Sequence, residues 1–431
     1  VSTGRSTSPW FGGFVADMHD AGQLVVQPRM GVSDPGAMRA GLLATRDAAA
    51  TTVGTITLDS YTRTGAHAAA RAALASGGDL NGYPILAHEP ATTRAMLDGV
   101  AGPGFPVQVR HGSAVPDDIV RTLIGVGLHA TEGGPISYCL PYGRVPVQTS
   151  VRNWVRSCER LAALRADGVE PHLESFGGCL LGMLCPPSLL VAVSVLEGLF
   201  FRQNGLRSIS LSYAQQSNAD QDREAILALR RLAAELMPDL DWHIVLYTYM
   251  GMYPRSSAGG TRLLREAAGL AVRTGAARLV VKTLAEAHRI PTVAENVRAL
   301  EVAAAAARQC APVTSGSVAD SGIYREAREL VGAVTGLSDD LGRALADAFR
   351  LGYLDVPYCL HPDNAGRSRS YLDQDGRLRW SQTGSMPVRA ETRPVRGTEQ
   401  TAAGLLASLS FVQRRFDDAG PDPGAVSTAA R

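Results

Sequence analysis

The 431-residue sequence predicts an α/β protein: an eight-stranded parallel (β/α)8 barrel of the TIM type, followed by a C-terminal helical and irregular extension. Three observations point there. Short β-branched runs alternate with long Ala/Leu/Arg stretches whose apolar residues recur every three or four positions, the signature of repeated strand–helix units. Nine strand candidates fall within roughly 260 residues, which suits a closed eight-stranded ring with one candidate outside it. No GxGxxG and no Walker loop is present, which weakens the competing open, doubly wound sheet.

The strand candidates, in order, are Leu24–Pro28, Thr52–Leu58, Pro84–His88, Pro106–Val109, Leu128–Thr131, Glu170–Glu174, Ser208–Ser212, His243–Thr248 and Arg278–Lys282. The clearest helical patterns between them are Arg152–Ala166, Ser188–Arg202, Asp220–Leu236 and Thr261–Thr274. Residues 24–290 thus form the expected catalytic barrel, and 1–23 precede it as a leader. Val1–Pro9 is Ser/Thr-rich with one Arg and no apolar core, so it reads as a loose leader and not a secretory signal. After about Pro291 the pattern changes. Helices are expected over Val293–Arg308 and Tyr324–Leu351, irregular chain over Asp355–Val395, a last helix over Glu399–Phe416, and a disordered Pro/Gly tail over 417–431. This extension, 291–431, is expected to pack on the barrel and to carry subunit contacts.

Composition excludes several classes of function. Hydrophobic residues make up 45% and charged residues 19%, the reverse of a disordered chain. The net charge of +1 leaves no excess to neutralise a phosphate backbone, so nucleic acid is not the expected partner. Six cysteines without a CxxC pair make no disulfide framework and suit a reduced cytoplasm. The most apolar stretch, Cys179–Phe200, is broken by Pro186-Pro187 and contains Glu197, which fits a buried helix starting at the prolines better than a membrane span.

Of the 42 basic residues, 41 are Arg and one is Lys, at position 282. Together with abundant Ala and Gly, this indicates a GC-rich coding bias of the actinomycete type, under which surface cations drift to Arg. A solitary Lys is then either chance or a position where a compact ammonium cannot be replaced by a planar guanidinium.

Catalytic groups of such barrels sit at the C-terminal strand ends. Here those ends carry Gln27-Pro28-Arg29, Asp59-Ser60-Tyr61-Thr62-Arg63, Arg110-His111-Gly112, Thr131-Glu132-Gly133-Gly134 and Val281-Lys282-Thr283. Three arginines on one rim repel one another unless anionic partners join them. Each can grip a carboxylate through two parallel hydrogen bonds, so a dicarboxylate would satisfy the set, with Glu132 meeting an ammonium on the same ligand. A phosphate ester is the competing ligand, and local Arg–Asp/Glu pairing the plainer alternative. Glycines after Glu132 let backbone approach a ligand, and Tyr138 and Tyr142 offer hydroxyls. Lys282 and Glu286, four residues apart, either pair with each other or together grip the hydroxyls of a ribose.

These segments, taken together, resemble the large (epsilon) subunit family of glutamate mutase, also called methylaspartate mutase. The carrying motifs run in order from about Leu24 to Val388: QPRMG at 27–31, LDSYTR at 58–63, LNGYP at 80–84, VQVRHG at 107–112, TEGGPISYCLPY at 131–142, VVKTLAEAHRIPT at 280–292 and DVPYC at 355–359. The resemblance implies the same barrel and a set of roles. Arg29, Arg63 and Arg110 match the arginines that hold the two carboxylates of L-glutamate, and His111 a neighbouring substrate contact. Glu132 matches the carboxylate near the amino group, a candidate catalytic base, and Tyr138 and Tyr142 match two substrate-contacting tyrosines. Lys282 and Glu286 match the pair on the ribose of the adenosyl group. Gly31, Asn81, Pro141, Tyr253 and Ile290 match further coenzyme contacts, with Tyr253 standing where the family has Phe.

The implied chemistry is the radical rearrangement of L-glutamate to 3-methylaspartate, an isomerase reaction. It uses adenosylcobalamin bound jointly with a separate cobalamin-binding small subunit, two large subunits forming a homodimer within a heterotetramer. The alternatives are a related mutase for another acidic or substituted amino acid, and a non-catalytic barrel subunit. The coding bias hints at specialised metabolism such as antibiotic biosynthesis. Asp17-Met18-His19-Asp20-Ala21-Gly22 also fits DxHxxG, the signature of cobalt ligation by His, but only 23 residues precede the first barrel strand and the accompanying SxL and paired-Gly elements are missing. The resemblance assigns the cobalt ligand to the partner chain and no metal ligand to this one.

Overall fold

The computed structural model describes residues 6, 8–141, 143–180, 184–311, 320–388 and 401–418. Its centre is an all-parallel eight-stranded barrel: β1 (Val25–Gln27), β2 (Gly54–Thr57), β3 (Val107–Arg110), β4 (Ala130–Gly133), β5 (His172–Ser175), β6 (Ser208–Ala214), β7 (Asp241–Tyr247) and β8 (Arg278–Val280). The strands pair in the order β1-β8-β7-β6-β5-β4-β3-β2, and a single parallel bridge, Val26 to Thr52, joins the two ends, so the barrel is nearly closed.

Eight of the nine expected strands are present. The ninth, Pro84–His88, is not a strand: only Tyr83 bridges Leu58, after which Pro84 has no N–H to continue a ladder and the chain turns into the next helix.

The helices ahead of and around the barrel are α1 (Phe11–Asp20), α2 (Pro35–Arg46), α3 (Ser60–Arg63), α4 (His67–Ala75), α5 (Pro90–Leu97), α6 (Asp117–Gly125), α7 (Val147–Ala163), α8 (Pro187–Gln203), α9 (Ala219–Leu236) and α10 (Ser257–Thr274). Several start where a side chain meets a free amide. Asp34 caps α2, with Pro35 at its first position; Asn218 caps α9 and Ser256 caps α10. Helix α8 is buried all round because α9, α12 (Ile323–Thr335) and α13 (Leu341–Leu351) cover the side turned from the barrel. No helix among the described residues is long and apolar enough to cross a membrane.

The extension differs from expectation in three places. Helix α11 (Val293–Arg308) forms as expected and packs on α10 and α2. The single helix expected over 324–351 is two, because the chain breaks after Gly336 and Asp340 caps the Arg343 amide to start α13 (3.0 Å). The irregular segment contains an antiparallel hairpin, β9 (Arg369–Leu372) with β10 (Leu378–Gln382), turned at Gly376 with φ 75°. The last helix is also divided, into α14 (Ala402–Leu409) and α15 (Phe411–Asp418). Residues 389–400 and 419–431 lie outside the described residues.

Inside the ring, the usual apolar layers give way to a polar column. Arg278 and Glu174 form an ion pair, both fully buried. Gln108 donates to the same Glu174 oxygen (3.2 Å) and accepts from Gln27 (2.8 Å). Below them His172 and His243 stack (5.1 Å, 8°), neutral because burial and the Arg278 charge push both well down. Helix α1 closes this lower end. Its Phe11 lies under the Arg278 guanidinium (5.0 Å), and its apolar face packs on Val25, Val53, Ala130 and Ala277 where strands begin.

Breaking a buried ion pair by removing one partner strands the other charge. Arg278→Met should therefore lose about 3–5 kcal/mol of stability, and the double variant with Glu174→Gln should lose less, both read by denaturant unfolding. Wild-type stability in Arg278→Met would contradict this.

Candidate functional site

The upper, C-terminal end of the barrel is organised around Glu132, at the end of β4 and fully buried. Its Oε2 accepts from Arg110 Nε (2.8 Å) and from the Tyr247 hydroxyl (2.6 Å); its Oε1 accepts from the Tyr138 hydroxyl. Arg110 ends β3 and lies over the Tyr247 ring at 5.3 Å. Burial works against its charge, but the adjacent Glu132 carboxylate overrides this and raises its pKa further. Among the described residues Arg110 hydrogen-bonds only through Nε, so the two terminal nitrogens, the fork that grips a carboxylate, remain for a ligand.

His111 is stacked on Trp154 (5.7 Å) and edge-on to Tyr138 (5.1 Å). Burial first, then the charge of Arg63, push it down to about 3 against a weaker opposing pull from the Glu132 main chain. Its Nδ1 accepts the Ser113 amide (3.0 Å), so the proton of the neutral ring sits on Nε2, a buried donor that no acceptor meets in hydrogen-bonding geometry. Arg63 reaches the same place from the short helix α3, whose start is fixed by the buried Asp59 accepting the Tyr61 and Thr62 amides (2.9 and 3.0 Å). Gly112, at φ 63°, makes room for it: a Cβ there would stand 3.0 Å from Arg63 Cδ.

The Gly133-Gly134 pair has a different use from the one expected. A Cβ on Gly133 would come within 2.5 Å of Trp154 and Tyr138, and one on Gly134 within 2.0 Å of the Glu197 carboxylate. The glycines therefore admit side chains rather than a ligand. Glu197, from α8, accepts the Ile136 and Ser137 amides (3.1 and 2.8 Å) and the Ser137 and Ser175 hydroxyls (both 2.9 Å), pinning the loop that carries Tyr138. Burial raises its pKa to about 7. Tyr142 lies outside the described residues.

A second group lines an open cleft of about 890 Å³ beside this centre: Arg29, Gly31, Asn81, Lys282, Glu286 and Ile290. Gly31 is there because its backbone lies against β2, where a Cβ would stand 2.1 Å from the Thr57 carbonyl oxygen. Asn81 accepts the Ser60 amide (3.0 Å), tying this loop to α3. Lys282 and Glu286 do not form an ion pair. Glu286 instead accepts from Arg29 Nη1 (2.9 Å) and from the Thr283 amide (2.9 Å), while the Arg29 Nε is buried without an acceptor. The Lys282 ammonium rests over the Tyr253 ring at 4.8 Å, a contact that a Phe ring would also provide. Burial pushes Lys282 down to about 8, with Glu286 raising it and Arg29 lowering it. Ile290 is 61% exposed at the cleft edge. Pro141 lines a different cleft, with Tyr358 and His361.

Sequence reasoning missed Tyr247, Glu174 and Glu197. Glu174 closes one strand candidate and Tyr247 stands one residue before the end of another, which was a usable signal. The third was noted only as an interruption of an apolar run. His19, the DxHxxG histidine, is on α1 at the lower end of the barrel, away from every group above.

The fold is a nearly closed parallel barrel of the TIM type, with the Arg110–Glu132 pair buried at its upper rim and Arg29 held apart from it by Glu286. Residues 8–402 match the family described as methylaspartate mutase E chain. The glutamate mutase epsilon subunit of Halobacterium salinarum is 31% identical over 354 residues, covering 79% of this chain and 73% of that protein. The one from Desulfitobacterium hafniense is 31% identical over 355 residues, covering 78% and 72%. The chain belongs to the methylaspartate mutase E chain family.

Because the chain has one lysine, Lys282 is the sole lysine signal in NMR of lysine-labelled protein. It should titrate near 8, and lower in Glu286→Gln, which removes the charge that raises it. Between about 8 and 10.5 the unfolded chain holds a proton that the folded one has released, so this group's contribution to stability rises with pH across that window. A midpoint at 10.5 in the folded protein would contradict the burial argument.

Proposed function

We propose that this chain is the large subunit of an adenosylcobalamin-dependent glutamate mutase, an isomerase that converts L-glutamate to 3-methylaspartate together with a cobalamin-binding small subunit. The observation that carries this reading is the Arg110–Glu132 pair at the barrel mouth, buried yet with the guanidinium fork still open and Arg63 packed alongside. Two carboxylates on one small molecule are the ligand that such a set of cations suits.

In this reading Arg110 and Arg63 grip carboxylate oxygens, and His111 offers its Nε2 proton to one of them. Arg29 completes the clamp from the neighbouring cleft. Glu132, at the centre, accepts a hydrogen bond from the ligand ammonium and can take its proton. Tyr138 fixes the outer oxygen of Glu132, and Tyr142 is assigned to the substrate side by its motif.

The cleft beside the clamp suits the adenosyl end of the coenzyme. It has room for a nucleoside, an unmet buried donor in Arg29 Nε, and a compact ammonium on Lys282 next to an acceptor on Glu286. Lys282 and Glu286 would hold the ribose hydroxyls, with Gly31, Asn81, Tyr253 and Ile290 as further contacts; Pro141, on the separate cleft with Tyr358, is assigned to the coenzyme by its motif alone. When bound, adenosylcobalamin supplies the carbon-centred radical that starts the rearrangement. The barrel walls keep water and other hydrogen donors away.

The test is anaerobic reconstitution with a matched small subunit and adenosylcobalamin, with methylaspartate followed by mass spectrometry. The chain alone should give none and the complex should convert glutamate. Arg110→Lys should lower kcat/KM by about 100-fold or more, since a point charge cannot reproduce the fork. No methylaspartate from the complex, or unchanged kinetics in Arg110→Lys, would overturn the assignment.

A further inference from the structure

The Tyr247 hydroxyl touches two carboxyl groups at once. It meets Oε2 of Glu132 at 2.6 Å and Oε1 of Glu174 more closely still. A phenol has one proton, and each of these two oxygen–oxygen contacts needs one. With both carboxyls ionised, one contact would set a bare carboxylate oxygen against a phenol lone pair in a dry interior, which is repulsive. A second proton on the chain satisfies both contacts. Glu174 then donates from Oε1 to Tyr247, and Tyr247 donates to Glu132.

The surroundings fix which oxygens are available. Glu174 Oε2 already accepts from Gln108 (3.2 Å), Ser210 (3.3 Å) and Arg278, so only Oε1 can carry a proton toward Tyr247. Glu132 Oε1 is taken by Tyr138, and its Oε2 by Arg110 (2.8 Å) and Tyr247. The charged and titratable groups facing the pair are thus Arg110 from β3, Tyr138 from the loop after β4, Tyr247 from β7 and Arg278 from β8. Arg63 stands beside His111, while His172 and His243 lie below Arg278. Cys179, just after β5, lies close enough to feel both carboxyls but stays a neutral thiol, its pKa raised by burial. Burial and both carboxyls also raise the Tyr247 pKa well above the usual value, so the phenol passes a proton without losing its own.

We propose that Glu132, Tyr247 and Glu174 form a proton relay that holds one shared proton inside the barrel and sets the charge of Glu132 from within, not from solvent. The relay rests on the function proposed above only for what Glu132 meets at its outer end. The step moves this one proton and adds none. With the proton on Glu174 Oε1, Glu132 is the carboxylate that can accept a hydrogen bond from a ligand ammonium. When Tyr247 passes its own proton to Glu132 Oε2 it takes the Glu174 proton in the same motion: the O–H bond on Glu174 Oε1 breaks, one forms on Glu132 Oε2, and Tyr247 remains a phenol. Glu132 is then the neutral acid and Glu174 the carboxylate beside Arg278, and the reverse step restores the first state. No electrons are exchanged.

Infrared spectroscopy of the purified chain in D2O tests this without turnover. The wild type at neutral pH should show a carboxylic-acid C=O band that disappears in Glu132→Gln and in Glu174→Gln. Glu197 and Asp222, pushed up to about 7 and about 8, give a background common to all variants. Tyr247→Phe keeps the ring and the Arg110 contact, so it is the variant expected to fold in any event. In it the band should be lost, or its midpoint should move by about one pH unit or more. In the reconstituted complex, the same variant should shift the pH profile of kcat/KM in the same direction with a smaller change in KM. A band of equal intensity and midpoint in wild type and Tyr247→Phe would overturn the relay, whatever the mutase assay gives. A complex without activity but with the Tyr247-dependent band would overturn the function and leave the relay standing.

Discussion

The ion pair between Arg110 and Glu132 makes the upper end of the barrel what it is. Two charges taken out of water are costly, and their mutual attraction compensates only if the remaining donors and acceptors are met. Glu132 is met on every side: Arg110 on one oxygen with Tyr247, Tyr138 on the other. Each of these partners needs its own support. Tyr138 depends on the loop that Glu197 pins, and that loop closes only because positions 133 and 134 are glycine. Arg63 depends on the Asp59 cap and on the missing Cβ of Gly112. The positive rim is thus a consequence of packing several residues deep.

The column below the site carries this further. Barrels of this type usually fill the ring with branched apolar side chains. Here Gln27, Gln108, Glu174, Ser210 and Arg278 occupy it, and α1 seals the bottom with Phe11 beneath the Arg278 guanidinium. Apolar residues in these places would pack with less desolvation cost. Retaining charges there joins the mouth to an interior set of donors and acceptors, and so links the ionisation of Glu132 to groups that water does not reach.

Much of this was legible in the sequence, for physical reasons. A strand that feeds a helix repeats its signature, and eight of the nine runs chosen for β-branching are barrel strands. Pro84–His88 misled because its composition suits a strand while its first residue cannot donate to one. The hairpin at 369–382 was missed because its strands are short and carry Arg and Ser among the apolar residues, although Asp373–Gly376 is a turn signal. Within the site, charged residues at strand ends were readable, since a parallel barrel places those ends together. Partner choice was not. Arg29 meets Glu286 across 257 residues of sequence, while Lys282, four residues from Glu286, turns to the Tyr253 ring instead. Tyr247 and Glu174 come from strands separated by β6 and meet only across the interior, a relation that no local pattern encodes. The DxHxxG match was local and had no such support, and α1 holds it at the closed end of the barrel.

If the mouth is built for a doubly acidic guest, it must distinguish carboxylate from amide at constant shape. Calorimetric titration of the assembled complex with L-glutamate and L-glutamine measures this directly. The account requires glutamate to bind tighter by about 100-fold or more, the scale of leaving one buried cation without its anion, and requires the advantage to shrink in Arg63→Met. Equal affinity for the two ligands, or a glutamate preference that survives loss of Arg63 intact, would contradict it.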